Sequence, residues 1–238
     1  MKINIVHLYP DLLNLYGDKG NIASLVKRLE WRGIETQVTE YTIEDEVDFA
    51  NADIIVLGGG GDYEQEVVCK RLCEFKETFK EYVEAGGVVL ASCGGYQMLG
   101  RYFVLGDKKL EGLGILDICT DSADNRFIGD IAVKTDFSDV PVVGFENHSG
   151  RTDTGKHQPL GRVVFGNGNN GVDKTEGVIY KNTIGTYLHG PLLPKNPQLC
   201  DRLLDAAVKN KDESFVLSPL DDAMEYAAND SIIKRYAK

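Results

Sequence analysis

The chain has no Cys-x-x-Cys pair, no apolar run approaching the length of a membrane span, and no excess of basic residues. Each absence excludes something. The five cysteines (Cys69, Cys73, Cys93, Cys119, Cys200) are odd in number and unpaired in spacing. That argues against a disulfide scaffold or a zinc site, and for reduced thiols in a cytoplasmic setting. Without a long apolar run, membrane insertion by a helix is excluded, and the opening Met1-Lys2-Ile3-Asn4-Ile5-Val6 reads as a first strand rather than a signal peptide. With 37 acidic against 26 basic residues the net charge is −11. Such a charge opposes binding to nucleic acid or an anionic membrane and leaves room for a basic protein partner. No internal repeat, low-complexity tract or clear linker divides the 238 residues. A single domain spanning 1–238 is therefore expected, with an ordinary soluble composition (42% hydrophobic, 26% charged).

What is present is an alternation of short apolar runs and amphipathic stretches. Ile3–Leu8, Glu35–Tyr41, Asp53–Leu57 and Val88–Ser92 read as strands. A helix is expected from about Asn21 to Arg32, stopped by Gly33, and a second from about Tyr63 to Ala85. The order implies an α/β fold, a mostly parallel open sheet with helices on both faces. Past Gly100, Leu113–Thr120, Phe127–Thr135 and Val142–Glu146 predict a partly antiparallel extension in the middle of the chain. Gly166–Gly171 reads as a hairpin-type turn or mobile loop. Two more strands, Gly177–Tyr180 and Thr183–Leu188, precede a helix from Pro197 to about Lys209. Ser218-Pro219 is expected to cap a last helix with Leu220, Met224, Ala227 and Ile232 partly inward.

The chemistry concentrates at Val88-Val89-Leu90-Ala91-Ser92-Cys93-Gly94-Gly95-Tyr96-Gln97. A buried strand runs straight into a cysteine followed by two glycines and helix-tolerant residues. A sharp strand–nucleophile–helix turn would expose the thiol at the carboxyl edge of the sheet and aim a helix N-terminus at it, which favours the thiolate. Cys93 is thus the candidate nucleophile, the alternative being a small buried hydrophobe. Of the four histidines, His189 follows an apolar strand and precedes Gly190-Pro191, so it should reach the same edge and serve as base. His7 is expected in the core, and His148 and His157 as solvated loop residues. Gly58–Gly61, at a neighbouring strand end, could offer backbone N–H groups to an oxyanion together with Gly94; the plainer reading is a connecting turn or a phosphate loop. Gly150-Arg151-Thr152-Asp153-Thr154-Gly155-Lys156-His157 imitates a P-loop, but His157 replaces the hydroxyl and Gln158-Pro159 opposes the helix, so a surface loop is expected.

Ser92–Gly100, with Gly58-Gly59-Gly60-Gly61-Asp62 upstream and Tyr187-Leu188-His189-Gly190 downstream, resembles the class I (triad-type) glutamine amidotransferases and, within them, the cobyric-acid-synthase-like branch. Tyr9–Asn21 (YPDLLNLYGDKGN) and Glu146-Asn147-His148-Ser149-Gly150-Arg151-Thr152 look like the glutaminase subunits of lipid II isoglutaminyl synthases. The resemblance implies hydrolysis of L-glutamine, with the ammonia passed to a Mur-ligase-like ATP-dependent synthetase subunit that amidates D-glutamate in peptidoglycan precursors. It assigns the thioester to Cys93, the proton transfers to His189, the oxyanion to Gly60 and Gly94, and the glutamine carboxylate to Arg126. It asks for no cofactor and no metal. Without it, Arg126 reads as a solvated surface arginine.

Two positions depart from the wider class. Ala91 stands where a glycine is common, and Pro191 stands where the class carries a glutamate two residues after the histidine. A thiol needs less base assistance than a hydroxyl, so a Cys–His dyad is chemically adequate. Two other readings remain compatible with the residues: a cysteine hydrolase of similar fold with another substrate, and a catalytically silent scaffold for a ligase.

Overall fold

The computed structural model describes residues 1–15 and 17–236; Tyr16, part of the amino-terminal motif, lies outside the described residues. The first half alternates strand and helix: β1 (Lys2–Leu8), α1 (Lys19–Glu30), β2 (Glu35–Tyr41), β3 (Ile54–Leu57), α2 (Asp62–Glu74), α3 (Lys76–Glu84), β4 (Val88–Ser92) and the short α4 (Gly94–Met98). The expected single helix over Tyr63–Ala85 is broken at Phe75, whose backbone (φ −105°, ψ 11°) leaves the helical region. The break has a packing cause. Phe75 meets Phe49 at 6.2 Å between ring centroids, and Phe79 stacks on the same ring at 4.9 Å. The Phe75 carbonyl opens α3, accepting both the Phe79 amide and the Thr78 hydroxyl at 2.9 Å.

The second half is β5 (Tyr102–Leu105), β6 (Lys108–Glu111), β7 (Cys119–Lys134), β8 (Val142–Asp153), β9 (Gly161–Phe165), β10 (Thr175–Glu176), β11 (Val178–Tyr180), β12 (Thr183–Thr186), a 3₁₀ turn at Leu193–Lys195, then α5 (Pro197–Lys211) and α6 (Ala223–Tyr236). The main sheet has the order β11-β12-β4-β3-β1-β2, parallel except where β11 pairs antiparallel with β12. Its two faces bury alternate residues. Val6, Leu8, Ile55, Leu57 and Val89 join Val68 and Leu72 of α2 and Phe79 of α3. Ile3, Ile5, Ile54, Val56 and Leu90 join Leu25 and Leu29 of α1 and Leu203 and Leu204 of α5. Helices on both faces explain why these strands carry continuous apolar runs.

The second sheet runs β10-β9-β7-β5-β6, with β8 on β7. Leu113–Thr120 is not a strand until Cys119, and the hairpin β5–β6 is an addition to the sequence reading. Phe127–Thr135 and Val142–Glu146 are parts of much longer strands. Polar stretches such as Asn147–Arg151 continue the pairing, with a register break between Ser122 and Phe127. The last helix begins at Ala223, not at Ser218-Pro219. Arg32 binds the Ser218 carbonyl and Arg28 the Asp222 carboxylate, which pins that stretch outside the helix. Ile232 is buried as expected, but Met224 is 84% exposed.

Candidate active site

The parallel strands end on one edge, and the site is built there. At Cys93 the backbone turns with φ +50° and ψ −108°, a left-handed conformation rare for a residue with a side chain. The turn survives because its neighbours fit nothing larger than glycine. A Cβ on Gly95 would lie 2.5 Å from the Leu57 carbonyl oxygen, and one on Gly94 2.5 Å from the Gln65 side chain. Gln65, on α2, donates its amide to the Gly60 carbonyl at 2.8 Å. The Gly95 amide also donates to the Gly58 carbonyl at 3.1 Å, which joins the Gly58–Gly61 loop directly to the first turn of α4. Gly60 and Gly94, expected as partners from sequence, both lie against the Gln65 side chain.

On the opposite flank, β12 pairs with β4 so that Thr186 faces Ser92, and the Cys93 amide donates to the Thr186 carbonyl at 2.8 Å. Three residues further, His189 is buried and exchanges backbone hydrogen bonds with Phe145 of β8 (His189 N to Phe145 O, 2.9 Å; Phe145 N to His189 O, 3.3 Å). Cys93 and His189 thus stand on the carboxyl ends of adjacent strands. Pro191, two residues on, packs against the start of α1: a Cβ on Gly20 would come within 2.5 Å of its ring.

Arg126 sits at the register break of β7, where Asn147 clamps it through Oδ1 (3.1 Å to Nε) and its carbonyl (3.0 Å to Nη2). A cavity of about 230 Å³ brings Cys93 together with Gly60, Gln65, Gln97, Arg126 and His148. A larger hollow of about 600 Å³ between Phe49 and Tyr82 has no thiol, histidine or arginine in its lining, so size does not mark the reactive site.

His148 is the residue that sequence reasoning misplaced. It is not a solvated loop side chain: it is 2% exposed on β8, its ring stacks on Tyr187 at 3.7 Å and 4°, and Nδ1 lies 2.8 Å from the Gly150 carbonyl. The polar residues around it concealed a strand whose alternate positions point inward. His7 is in the core as expected, and His157 turns back so that Nε2 accepts the Asp117 amide. The P-loop imitation is a surface turn only from Thr154 on, at Gly155 (φ +55°); Gly150–Asp153 is the end of β8, with Gly150 and Thr152 buried, because the strand pairing with β7 continues through them. Gly166–Gly171 is tied down: Glu146 accepts from the Asn167 and Gly168 amides, and Asn169 is fully buried.

Burial dominates the electrostatics. It pushes the Cys93 thiol up to about 12, against the Gly94 amide and the Arg126 charge, which favour the thiolate. The short α4 therefore does not by itself ionise the thiol, contrary to the expectation from its N-terminus. Burial also pulls His189 down to about 3, with His148 and Arg126 acting in the same direction, and His148 down to about 4. At rest the pair is a neutral thiol and a neutral imidazole. Two carboxyls lie beneath the strand ends. Asp18 is raised to about 6 by burial despite the bond from the Asn21 amide, and Glu176 is raised to about 7. Among the described residues no three His, Cys, Asp or Glu side chains gather as metal ligands.

This architecture, a mostly parallel sheet with helices on both faces and a second, largely antiparallel sheet beside it, is the fold of the class I glutamine amidotransferases. It aligns with the glutaminase domain of a Trypanosoma brucei CTPS, solved with bound acivicin (TM-score 0.58, 11% identity, 91% of this chain and 96% of that one), and with another solved glutamine amidotransferase (TM-score 0.54, 18% identity, 85% and 98%). The sequence goes further: residues 4–197 match the CobB/CobQ-like glutamine amidotransferase domain, and the chain belongs to that family of glutamine-hydrolysing enzymes. Among its relatives are two subunits named lipid II isoglutaminyl synthase (glutamine-hydrolyzing) subunit GatD. The one from Staphylococcus aureus is 45% identical over 98% of this chain and 96% of its own length. The one from Streptococcus pneumoniae is 45% identical over 88% and 82%. A cobyric acid synthase from Listeria innocua is 34% identical over 66% of this chain but only 32% of its own.

Proposed function

We propose that this chain is the glutaminase subunit of a lipid II isoglutaminyl synthase, with Cys93 as nucleophile and His189 as its base. The observation that carries the reading is the strained elbow at Cys93 sharing one cavity with Arg126 and the Gly60 region, on the strand end next to that of His189. The neutral imidazole of His189 takes the thiol proton as sulfur attacks the side-chain carbonyl of L-glutamine. The tetrahedral oxyanion accepts hydrogen bonds from the Gly94 amide and the Gly60 loop. His189 then returns its proton to the departing nitrogen, which leaves as ammonia, and a γ-glutamyl thioester remains. Water attacks the thioester, His189 takes its proton and passes it to the leaving sulfur, and glutamate is released. Arg126 holds the α-carboxylate throughout.

The ammonia needs a recipient that the chain itself does not activate. The kinship with GatD subunits supports transfer to a Mur-ligase-like ATP-dependent subunit that amidates D-glutamate of lipid II, in the cytoplasm, as a heterodimer. No helix among the described residues is long and apolar enough to cross a membrane. The test is co-purification from the native source followed by mass determination and an ammonia assay on the pair. A chain that elutes alone and amidates an acceptor with ATP unaided would sink the partner reading.

A further inference from the structure

His148 is fixed in one protonation state by its neighbours. The Gly150 carbonyl can only accept, so the bond to Nδ1 at 2.8 Å requires a hydrogen on Nδ1. Burial under the Tyr187 ring, with Phe127 edge-on at 5.6 Å, keeps the imidazole uncharged, and the Arg126 and Arg151 charges reinforce this. Nε2 is then a bare lone pair. It is buried and meets no hydrogen-bond partner among the described residues, while the side chain lines the Cys93 cavity. A buried acceptor left unmatched beside a binding cavity calls for a donor from the ligand.

The cavity is walled from both sheets. Gly60, Gln65 and Cys93 come from α2 and the β3 and β4 strand ends. Arg126 and His148 come from β7 and β8. There, Asn147 clamps Arg126, His148 follows Asn147 in the chain, and Phe127 lies opposite His148 in the strand register. An α-amino acid carries its carboxylate and its ammonium on one carbon, so the acceptor for the ammonium must stand beside the cation that holds the carboxylate. We propose that Nε2 of His148 accepts a hydrogen bond from the α-ammonium of glutamine, which makes His148 the group that selects an α-amino acid over a plain amide-bearing acid. The inference rests on the glutaminase reading of the Cys93 site.

The probe is glutaramate, which is glutamine without its α-amino group. In the full native chain, kcat/KM should favour glutamine over glutaramate about tenfold or more, as expected when a buried acceptor loses its donor. In His148→Phe, which keeps the ring stack but has no acceptor, the ratio should fall toward one. The loss should appear in KM for glutamine rather than in kcat. His148→Gln, which restores an acceptor, should recover most of the discrimination. A ratio that is unchanged in His148→Phe, or already near one in the native chain, overturns the inference while leaving the glutaminase reading intact. A chain that neither hydrolyses nor binds glutamine overturns both. Should His148→Phe not fold, the ¹⁵N imidazole spectrum of the Cys93→Ala chain decides. Glutamine should move the Nε2 resonance and glutaramate should not; equal shifts, or none with glutamine bound, overturn it.

Discussion

The Cys93 amide donates to the Thr186 carbonyl across 2.8 Å, and this one backbone bond stitches the turn at Cys93 to the strand that leads to His189. Thr186 is itself anchored, since its hydroxyl and the Tyr187 amide both donate to Oε1 of Glu176 at 2.6 and 2.7 Å. Sheet pairing and a buried carboxyl therefore fix the backbone on which Cys93 and His189 are carried.

Cys93→Ala should abolish ammonia release from glutamine, by about 10³-fold or more, since no thioester can form. A partner synthetase supplied with ammonium should still turn over. His189→Ala should cost about 10² to 10⁴-fold, because the base and acid roles meet in one ring. His157→Ala, whose imidazole accepts the Asp117 amide and packs on Tyr180 away from the Cys93 cavity lining, should leave the rate near native. A coupled glutamate dehydrogenase assay on all three variants ranks them; retained activity in Cys93→Ala would remove the nucleophile assignment.

The sequence carried the main sheet because strands buried on both faces advertise themselves as unbroken apolar runs, as in Ile54–Leu57 and Val88–Ser92. Cys93 and His189 were legible for the same reason, each being the first reactive residue past such a run. The second sheet was legible only in fragments. Residues 124–126 and the Asn147–Arg151 stretch are mostly polar because they line the cavity or face solvent, and composition alone reads such stretches as turns. His148 was lost in that way. The one available signal was alternation, for Glu146, His148, Gly150 and Thr152 are all buried along β8. The break at Phe75 was invisible because it depends on Phe49, from a distant part of the chain.

Arg126→Ala should raise the KM for glutamine about tenfold to a hundredfold with a smaller change in kcat. A guanidinium on the α-carboxylate binds ground state and transition state alike. Arg126→Lys should recover little, because a point charge cannot replace the fork that Asn147 holds in position. Steady-state kinetics over a wide glutamine range checks this, and an unchanged KM removes Arg126 from the site.

Gly94→Ala should separate activity from stability. The new Cβ would lie 2.5 Å from the Gln65 side chain. That side chain is long enough to move aside, so the cost in stability should be modest, about 1 to 3 kcal/mol. Moving it breaks the 2.8 Å bond to the Gly60 carbonyl and loosens, at Gly60, the loop proposed to hold the oxyanion, while the Gly58 and Gly59 carbonyls keep their backbone bonds. The rate should therefore fall about 10²-fold or more, the scale of one lost oxyanion donor, in a chain that still unfolds cooperatively. Equal losses in Gly94→Ala and in a neutral surface variant would show that the Gly60 loop takes no part in the reaction.

Glu176 gives the protein a stability that depends on pH in a definable direction. Burial raises its carboxyl from 4.5 to about 7, outweighing the donations from Thr186 and Tyr187, while the nearby Glu146 charge pushes the same way as burial. Because the folded state holds this proton more tightly than the unfolded chain, the contribution is fully present below about 4.5 and is lost as pH rises through about 7. Glu176→Gln keeps an acceptor for the Thr186 hydroxyl and the Tyr187 amide but does not titrate. Relative to that variant, the native chain should lose about 2 to 3 kcal/mol between pH 5 and pH 8. Urea unfolding of both proteins at the two pH values measures the difference directly, and the three buried histidines, His7, His148 and His189, cancel because both chains carry them. A gap that stays constant between pH 5 and 8 would mean that Glu176 ionises at its ordinary pH, and that the anchor beneath Thr186 is a carboxylate throughout.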